Sequence, residues 1–317
     1  MSTETEPSTG QQTGPATATP QEVVREEPRR ERRHRGRLPD DFTGDTHVHQ
    51  PHRVGLPPLR SYFREVWRRR HFALELSRTD LRAQHFNTVF GQLWLVLNPL
   101  LLAFVYFLLV DILRGGSRGE DFFGHLVAGL FAFTLMSFAV TRGAKSVVKG
   151  GRLILNTAFP RTLLPLSTVI NSFIRFLPTF LIYIPIHLIL DLPIGWHLLW
   201  VIPIVAILVV ITMGLTMLVA AGQVYFRDLA NFLPYVTRIW LYASPVLYYA
   251  HEVPDRYKIV LDVNPMAPLL TAWSDVLNRG LAPDAELLLQ GSAWAVAILV
   301  IGGLFFISRE REFAVRL

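Results

Sequence analysis

The sequence predicts an all-α polytopic membrane protein, and three observations predict it. First, 51% of its 317 residues are hydrophobic, a composition that excludes fibrous and wholly disordered chains. Second, this hydrophobicity is unevenly spread. Met1 to about Gly55 is polar and rich in Thr, Pro, Glu and Arg, whereas almost everything beyond Gly91 is apolar. Third, six stretches hold the ~20 mainly apolar residues that a helix needs to cross ~30 Å of hydrocarbon. The expected organisation is a disordered cytoplasmic tail over 1–54, an amphipathic interfacial segment over 55–88 and a six-helix transmembrane domain over 89–317.

The opening run MSTETEPSTGQQTGPATATP has no apolar core. It is therefore not a signal peptide, and it cannot bury enough surface to offset its ordering entropy. The EEPRRERRHRGR block that follows is a solvated charge run, with contact to anionic lipid as the alternative. His47, His49 and His52 form an incidental cluster without supporting ligands, metal binding being the sharper alternative. In the next segment, PLRSYFREVWRRRHFALELSRTDLR, the residues Leu59, Tyr62, Phe63, Val66 and Trp67 fall at helical spacing. Arg60, Arg64, Arg68 and Arg69 take the other face. That pattern suits a helix lying in the cytoplasmic interface, or one packed on a soluble partner.

The expected spans run in order. Gly91–Ile112 carries Asn98 and Pro99 as a kink, Phe122–Thr141 follows, and about Leu163–Leu190 contains Asn171 and Arg175. Trp196–Gly222, about Asn231–Ala250 and about Leu287–Ser308 complete the six. Basic residues in short connections set the orientation. The 142–161 loop holds Arg142, Lys145, Lys149, Arg152 and Arg161 with no acid, and Arg309, Arg311 and Arg316 lie in the C-terminal tail. The opposite side holds Arg114 and Arg118. Both termini are expected in the cytoplasm. In the long external connection 251–286, PMAPLLTAWSDVLNRG predicts a short helix, capped by Asn264 and closed by Gly280, with Leu269, Trp273, Val276 and Leu277 on one face. It is too short to span, so it dips into the outer leaflet or lies upon it.

Several chemistries are absent. Without cysteine there is no disulfide framework, zinc thiolate or catalytic thiol. None of the three lysines follows a glycine, so there is no P-loop. No acid lies deep in a span, and His125, His187 and His197 are solitary, which suits structural roles. What remains inside the membrane is arginine and aromatic surface. Arg175 either faces a bundle interior, aqueous path or anionic ligand, or snorkels to the inner headgroups. For Arg238, nearer a span end, snorkelling is the simpler reading. Trp240, Tyr242, Phe104, Tyr106 and Phe107 form either an interfacial belt or a stack along a translocation path for sugar faces.

The landmarks RTDLRAQHFNTVFGQLWLVLNPL, AFPRTLLPLSTVI, YFRDLANF, SPVLYYAHEVP, VNPMAPLL and REREFAVRL follow in this order over roughly residues 60–317. In this the chain resembles the membrane subunits of type-2 ABC exporters for lipid-linked polysaccharides such as O-antigens, teichoic acids and mycobacterial galactan. The resemblance implies a permease homodimer that binds no cofactor of its own and works with a separate P-loop ATPase carrying ATP and Mg. It further implies that the 142–161 loop, with Phe159, Pro160 and Arg161, and the turn at Arg227 and Asp228 dock onto that ATPase. The external segment, with Pro265, Leu269 and Trp273, would gate the exit. Asp228 is also expected to accept hydrogen bonds from exposed amides of the helix that follows it. A drug or lipid permease of the same broad type is the near alternative. A polyprenyl-sugar enzyme is the distant one, against which the acids are scattered.

Overall fold

The computed structural model describes residues 57–84, 91–113, 115 and 119–317, all within one compact unit, Arg53–Leu317. The expected tail over 1–54, its histidines and its charge block lie outside the described residues, as do Arg114 and Arg118.

All regular structure among the described residues is helical. The interfacial segment forms two helices, α1 (Leu59–Arg68) and α2 (Arg70–Gln84), separated at Arg69. A 3-10 turn then starts at Gly91, whose φ of +48° favours a residue without Cβ. It leads into α3 (Trp94–Leu113), which runs through Pro99, and α4 (Glu120–Ala144) follows. Two short helices, α5 (Ser146–Lys149) and α6 (Gly151–Asn156), connect α4 to α7 (Leu163–Ile189). A 3-10 turn over Trp196–Trp200 opens α8 (Val201–Tyr225), and α9 (Leu229–Tyr242) follows a tight turn. The remaining helices are α10 (Ile259–Val263), α11 (Ala267–Leu277), α12 (Ala285–Arg309) and α13 (Phe313–Arg316).

Five stretches among the described residues are long and apolar enough to cross a membrane: Trp94–Leu113, Asp121–Ala144, Leu163–Ile189, Trp196–Tyr225 and Ala285–Arg316. Their burial differs sharply and identifies the centre of the bundle. The most apolar window of α4 is 78% buried, against 22–33% for the other four. α4 packs on α3, α7, α8, α9 and α11, while the others turn broad apolar faces outward, as lipid-facing helices must. α8 and α12 cross in direct backbone contact, because Gly214 and Gly302 remove the side chains between them.

The expected fifth span differs. The segment 231–250 is not one helix: α9 has 14 residues, a length of only ~21 Å. Pro245 lacks an amide proton and disfavours helical backbone at Ser244, so the chain turns at Ala243–Ser244. The short helix before Gly280 is more deeply set than expected. Leu269, Trp273, Val276 and Leu277 share one face and are buried, but burial extends well beyond that face. Ala267, Pro268, Leu270 and Ala272 are buried together with Leu269 and Trp273, because α11 is wedged among α4, α8 and α12. Gly280 does close the segment, with φ +67°.

Candidate functional site

The first site is a cavity of about 440 Å³ between α3, α4 and α9. Tyr106 from α3, Tyr242 and Arg238 from α9, and Thr134, Ser137 and Thr141 from α4 line it. The Tyr106 and Tyr242 rings meet edge to face, 6.2 Å between centroids, with their hydroxyls 3.3 Å apart. Aromatic faces beside a row of hydroxyls and one guanidinium suit a polar, ring-bearing anion better than a hydrocarbon.

The other candidate path residues stand elsewhere. Phe104 is 52% exposed on the bundle surface. Phe107 packs edge-on against Phe123 at 5.2 Å. Trp240 turns away and donates its indole N–H to Asn264 Oδ1 at 2.7 Å. Arg175 lines a second cavity, of about 320 Å³, between α3, α4 and α7. Its Nε donates to Asn171 Oδ1 at 3.0 Å, and its guanidinium lies 4.3 Å from the centre of the Phe138 ring. Thr134 is the one lining residue the two cavities share.

The residues expected to face an ATPase divide into braces and surface. Pro160 is buried and Phe159 packs on Phe72 at 5.3 Å. Arg161 donates its backbone N–H to Glu310 Oε1 at 2.5 Å and its guanidinium to the Glu310 carbonyl. Tyr62 of α1 completes this knot, with its hydroxyl 2.5 Å from Glu310 Oε2 and 2.6 Å from Thr162 Oγ1. Burial and the Glu310 carboxylate both push the Tyr62 phenol above its ordinary value, so it stays a donor, while burial lowers the Arg161 guanidinium. The knot walls a cavity of about 800 Å³ between α1, the 154–161 connection and the end of α12. Arg69 adds a bond from its guanidinium to the Ala158 carbonyl at 2.8 Å.

Arg227 and Asp228 are exposed in the α8–α9 turn. Asp228 precedes α9, but its side chain makes no capping hydrogen bond. Gln223 holds the turn instead. Its Oε1 accepts from the Ala230 N–H and its Nε2 donates to the Arg227 carbonyl, both at 2.6 Å. A glutamine one turn back reaches the start of α9, whereas Asp228 points into solvent.

At the opposite end of the bundle, Leu269 and Trp273 are 1% exposed, and Trp273 donates its indole N–H to the Ala128 carbonyl of α4 at 3.0 Å. Pro265 follows Asn264, whose amide joins two elements. Its Nδ2 donates to the Ala243 carbonyl (3.0 Å) and Ser244 Oγ (2.9 Å), while its Oδ1 accepts from Trp240 and from the Met266 N–H (3.0 Å). His187 and His197 share the Pro193 carbonyl, at 3.0 and 3.2 Å, and His125 Nδ1 lies 2.7 Å from Ser274 Oγ. Sequence reasoning missed Glu310, Tyr62 as a polar anchor, Gln223 and Asn264 as a tie. Only Asn264, as a cap just before a proline, carried a local signal.

Residues 74–277 match the profile of the ABC-2 type transporter family. Over 258 residues the chain is 31% identical to the O-antigen export system permease protein RfbA of Myxococcus xanthus, covering 79% of this chain and 97% of that protein. Two proteins of the same description from Klebsiella pneumoniae are 28% and 26% identical over 207 and 206 residues, each covering 65% of this chain and 79% of its own length. The matched region includes the cavities between α3, α4, α7 and α9, and the exposed α8–α9 turn. The chain therefore belongs to the ABC-2 type transporter family.

Proposed function

We propose that this chain is the transmembrane subunit of an ATP-driven exporter that moves a polyprenyl-diphosphate-linked polysaccharide across the cytoplasmic membrane. The observation that carries this reading is the 31% identity that spans 97% of an O-antigen export permease. A match over 79% of this chain is far longer than one shared motif. The Tyr106–Tyr242–Arg238 cavity supports it chemically, since aromatic faces, hydroxyls and a cation fit a glycan carrying phosphate.

ATP and Mg would bind a separate ATPase subunit, and two copies of this chain would assemble with two of that subunit. The end of the bundle bearing α5, α6, the α8–α9 turn and the C-terminus would face the cytoplasm, in keeping with Arg142, Lys145, Lys149, Arg152 and Arg161 in one connection. Arg227 and Asp228, exposed at that end, would meet the ATPase, while Phe159, Pro160 and Arg161 would brace the loop behind the contact. The α9 helix and the 243–284 hairpin would together make the sixth passage, with Pro265, Leu269 and Trp273 at its outer closure. Phe63 and Trp67, 55% and 70% exposed on α1, would rest in the inner interface.

Deletion of the gene, followed by blotting of surface and intracellular glycan, tests this function. Glycan should accumulate inside and vanish from the surface, and return with the intact gene. Normal surface glycan in the deletion strain would overturn the proposal.

A further inference from the structure

The cavity between α3, α4 and α7 carries two cations, one of which, Arg142, the sequence placed in a basic loop. Arg142, in the last turn of α4, and Arg175 of α7 both line it. Their guanidinium carbons lie 4.7 and 4.3 Å from the centre of the same Phe138 ring. Two like charges so placed stand within about 9 Å of each other, in surroundings poorer than water, and repel. The ring offsets part of that cost through its π face, and Asn171 fixes Arg175 through its Nε. None of the described residues lining this cavity is acidic. Asp80 lines an adjoining cavity, which Arg142 also reaches. The rest of the polar wall, Asn98, Thr134, Ser172 and Thr179, supplies amide and hydroxyl groups. A phosphate or diphosphate group, with several acceptor oxygens around its negative charge, can bridge the two guanidinia.

The depth of the cavity narrows the ligand to a lipid. Arg175 is ~18 Å along α7 from Leu163, but α2 covers the first turns of α7, where Asn171 Nδ2 donates to the Ser77 carbonyl at 3.0 Å. Arg142 lies two residues from the end of α4, on the side of the basic connection. The pair therefore sits at the level where α2 ends its cover and the apolar outer faces of α3 and α7 begin. Leu101, Leu177 and Leu181 are exposed there along α3 and α7.

We infer that this cavity binds the phosphate or diphosphate headgroup of a membrane lipid, with Arg142 and Arg175 as the anion-binding residues and Phe138 as the plate that positions them. The site is separate from the Tyr106–Tyr242–Arg238 cavity, and lipid tails would lie along the outer faces of α3 and α7. A polyprenyl diphosphate and an acidic phospholipid share the recognised chemistry. That the first of these is the physiological ligand rests on the exporter reading above.

The test uses the full chain in phosphatidylcholine nanodiscs and measures binding of polyprenyl diphosphate and of phosphatidylglycerol, with added phosphatidylethanolamine as the zwitterionic comparison of zero net charge. In the intact protein at least one of the two anionic lipids should bind saturably, and the doubly substituted R142Q/R175Q protein should bind it at least tenfold more weakly. Tighter binding of polyprenyl diphosphate identifies the substrate lipid as the occupant, and tighter binding of phosphatidylglycerol identifies a bulk lipid; either supports the site. Wild-type affinity for both in the folded double variant overturns it, as does an equal loss for phosphatidylethanolamine. Should the double variant misassemble, Arg175→Lys is measured instead. It keeps the charge but loses the planar fork, so affinity should fall several-fold, and unchanged affinity overturns the site. The gene deletion above judges the function independently: lost export together with normal lipid binding by the double variant would overturn this site alone.

Discussion

Gly302 of α12 lies directly against the Gly214 carbonyl of α8, and a Cβ built on Gly214 would meet the Ile298 carbonyl carbon at 2.6 Å. Both obstacles are backbone, so neither can swing aside as a side-chain tip would. The packing of α8 against α12 therefore depends on these two positions carrying no side chain. Gly303, the next residue, is different: its nearest neighbour would be the end of Met217 at 4.0 Å.

Gly302→Ala should force the helices apart and destabilise the bundle by about 1–3 kcal/mol, the usual cost of overpacking. Gly303→Ala should be close to neutral and could gain slightly from helix propensity. Thermal unfolding of the two variants in one detergent measures the difference. Equal melting temperatures would contradict the close crossing.

The knot around Glu310 ties three distant segments, since Tyr62, Arg161 and Glu310 belong to α1, the connection before α7 and the chain's C-terminal region. Glu310 is buried, and hydrogen bonds to a charged group contribute about 1.5–3 kcal/mol each. Glu310→Ala should loosen α1 and the 154–161 connection together, seen as faster hydrogen exchange in both. Tyr62→Phe removes one bond and should loosen α1 alone. A double-mutant cycle should give a coupling of about 0.5–3 kcal/mol between the two sites. Additive effects would mean that Tyr62 and Glu310 do not communicate.

These relationships mark where sequence reading stops. The helices and their apolar lengths were legible because 20-residue hydrophobic runs are a one-dimensional signal. α7 and α12 begin and end within two residues of expectation. The break after Tyr242 was missed because Ser244 and Pro245 sit in a run whose hydrophobicity continues past them. Burial around α11 was missed because its narrow polar stripe, Thr271, Ser274 and Asp275, is what a helix lying at an interface would also show. Arg142 looked like one more basic loop residue, for its relation to Arg175 runs through Phe138 and exists only once α4 and α7 are packed. The same holds for Gln223, whose reach across the turn to Ala230 depends on how α9 folds back.

Asn264 uses both amide protons and accepts two bonds through its oxygen, which exhausts its capacity. Asn264→Asp keeps the shape but replaces two donors with acceptors facing the Ala243 carbonyl and Ser244 Oγ. It should therefore harm the α9–α11 junction more than Asn264→Ala, which leaves unsatisfied groups at about 1–3 kcal/mol each. Limited proteolysis within 250–263 reads the opening of this hairpin. Resistance equal to the wild type in both variants would remove Asn264 from its role as the tie.

The division among the aromatic residues gives the sharpest test of the proposed path. Tyr106 and Tyr242 face the cavity with Arg238, whereas Phe104 faces outward and Trp240 is committed to Asn264. If glycan slides past the paired tyrosines, Tyr242→Ala should slow export about two- to tenfold, the range expected from losing a ring contact of about 0.5–1.5 kcal/mol. Tyr242→Phe should keep most activity, because the stacking face survives and only the hydroxyl is lost. Phe104→Leu should leave export unchanged. Trp240→Phe should lower the amount of assembled protein without altering export per assembled complex, since it breaks a structural hydrogen bond and leaves the cavity wall intact. Surface glycan normalised to membrane-inserted protein separates these outcomes. If Phe104→Leu impaired export as much as Tyr242→Ala, the path would have to run along the outer face of α3 and not through the cavity between α3 and α9.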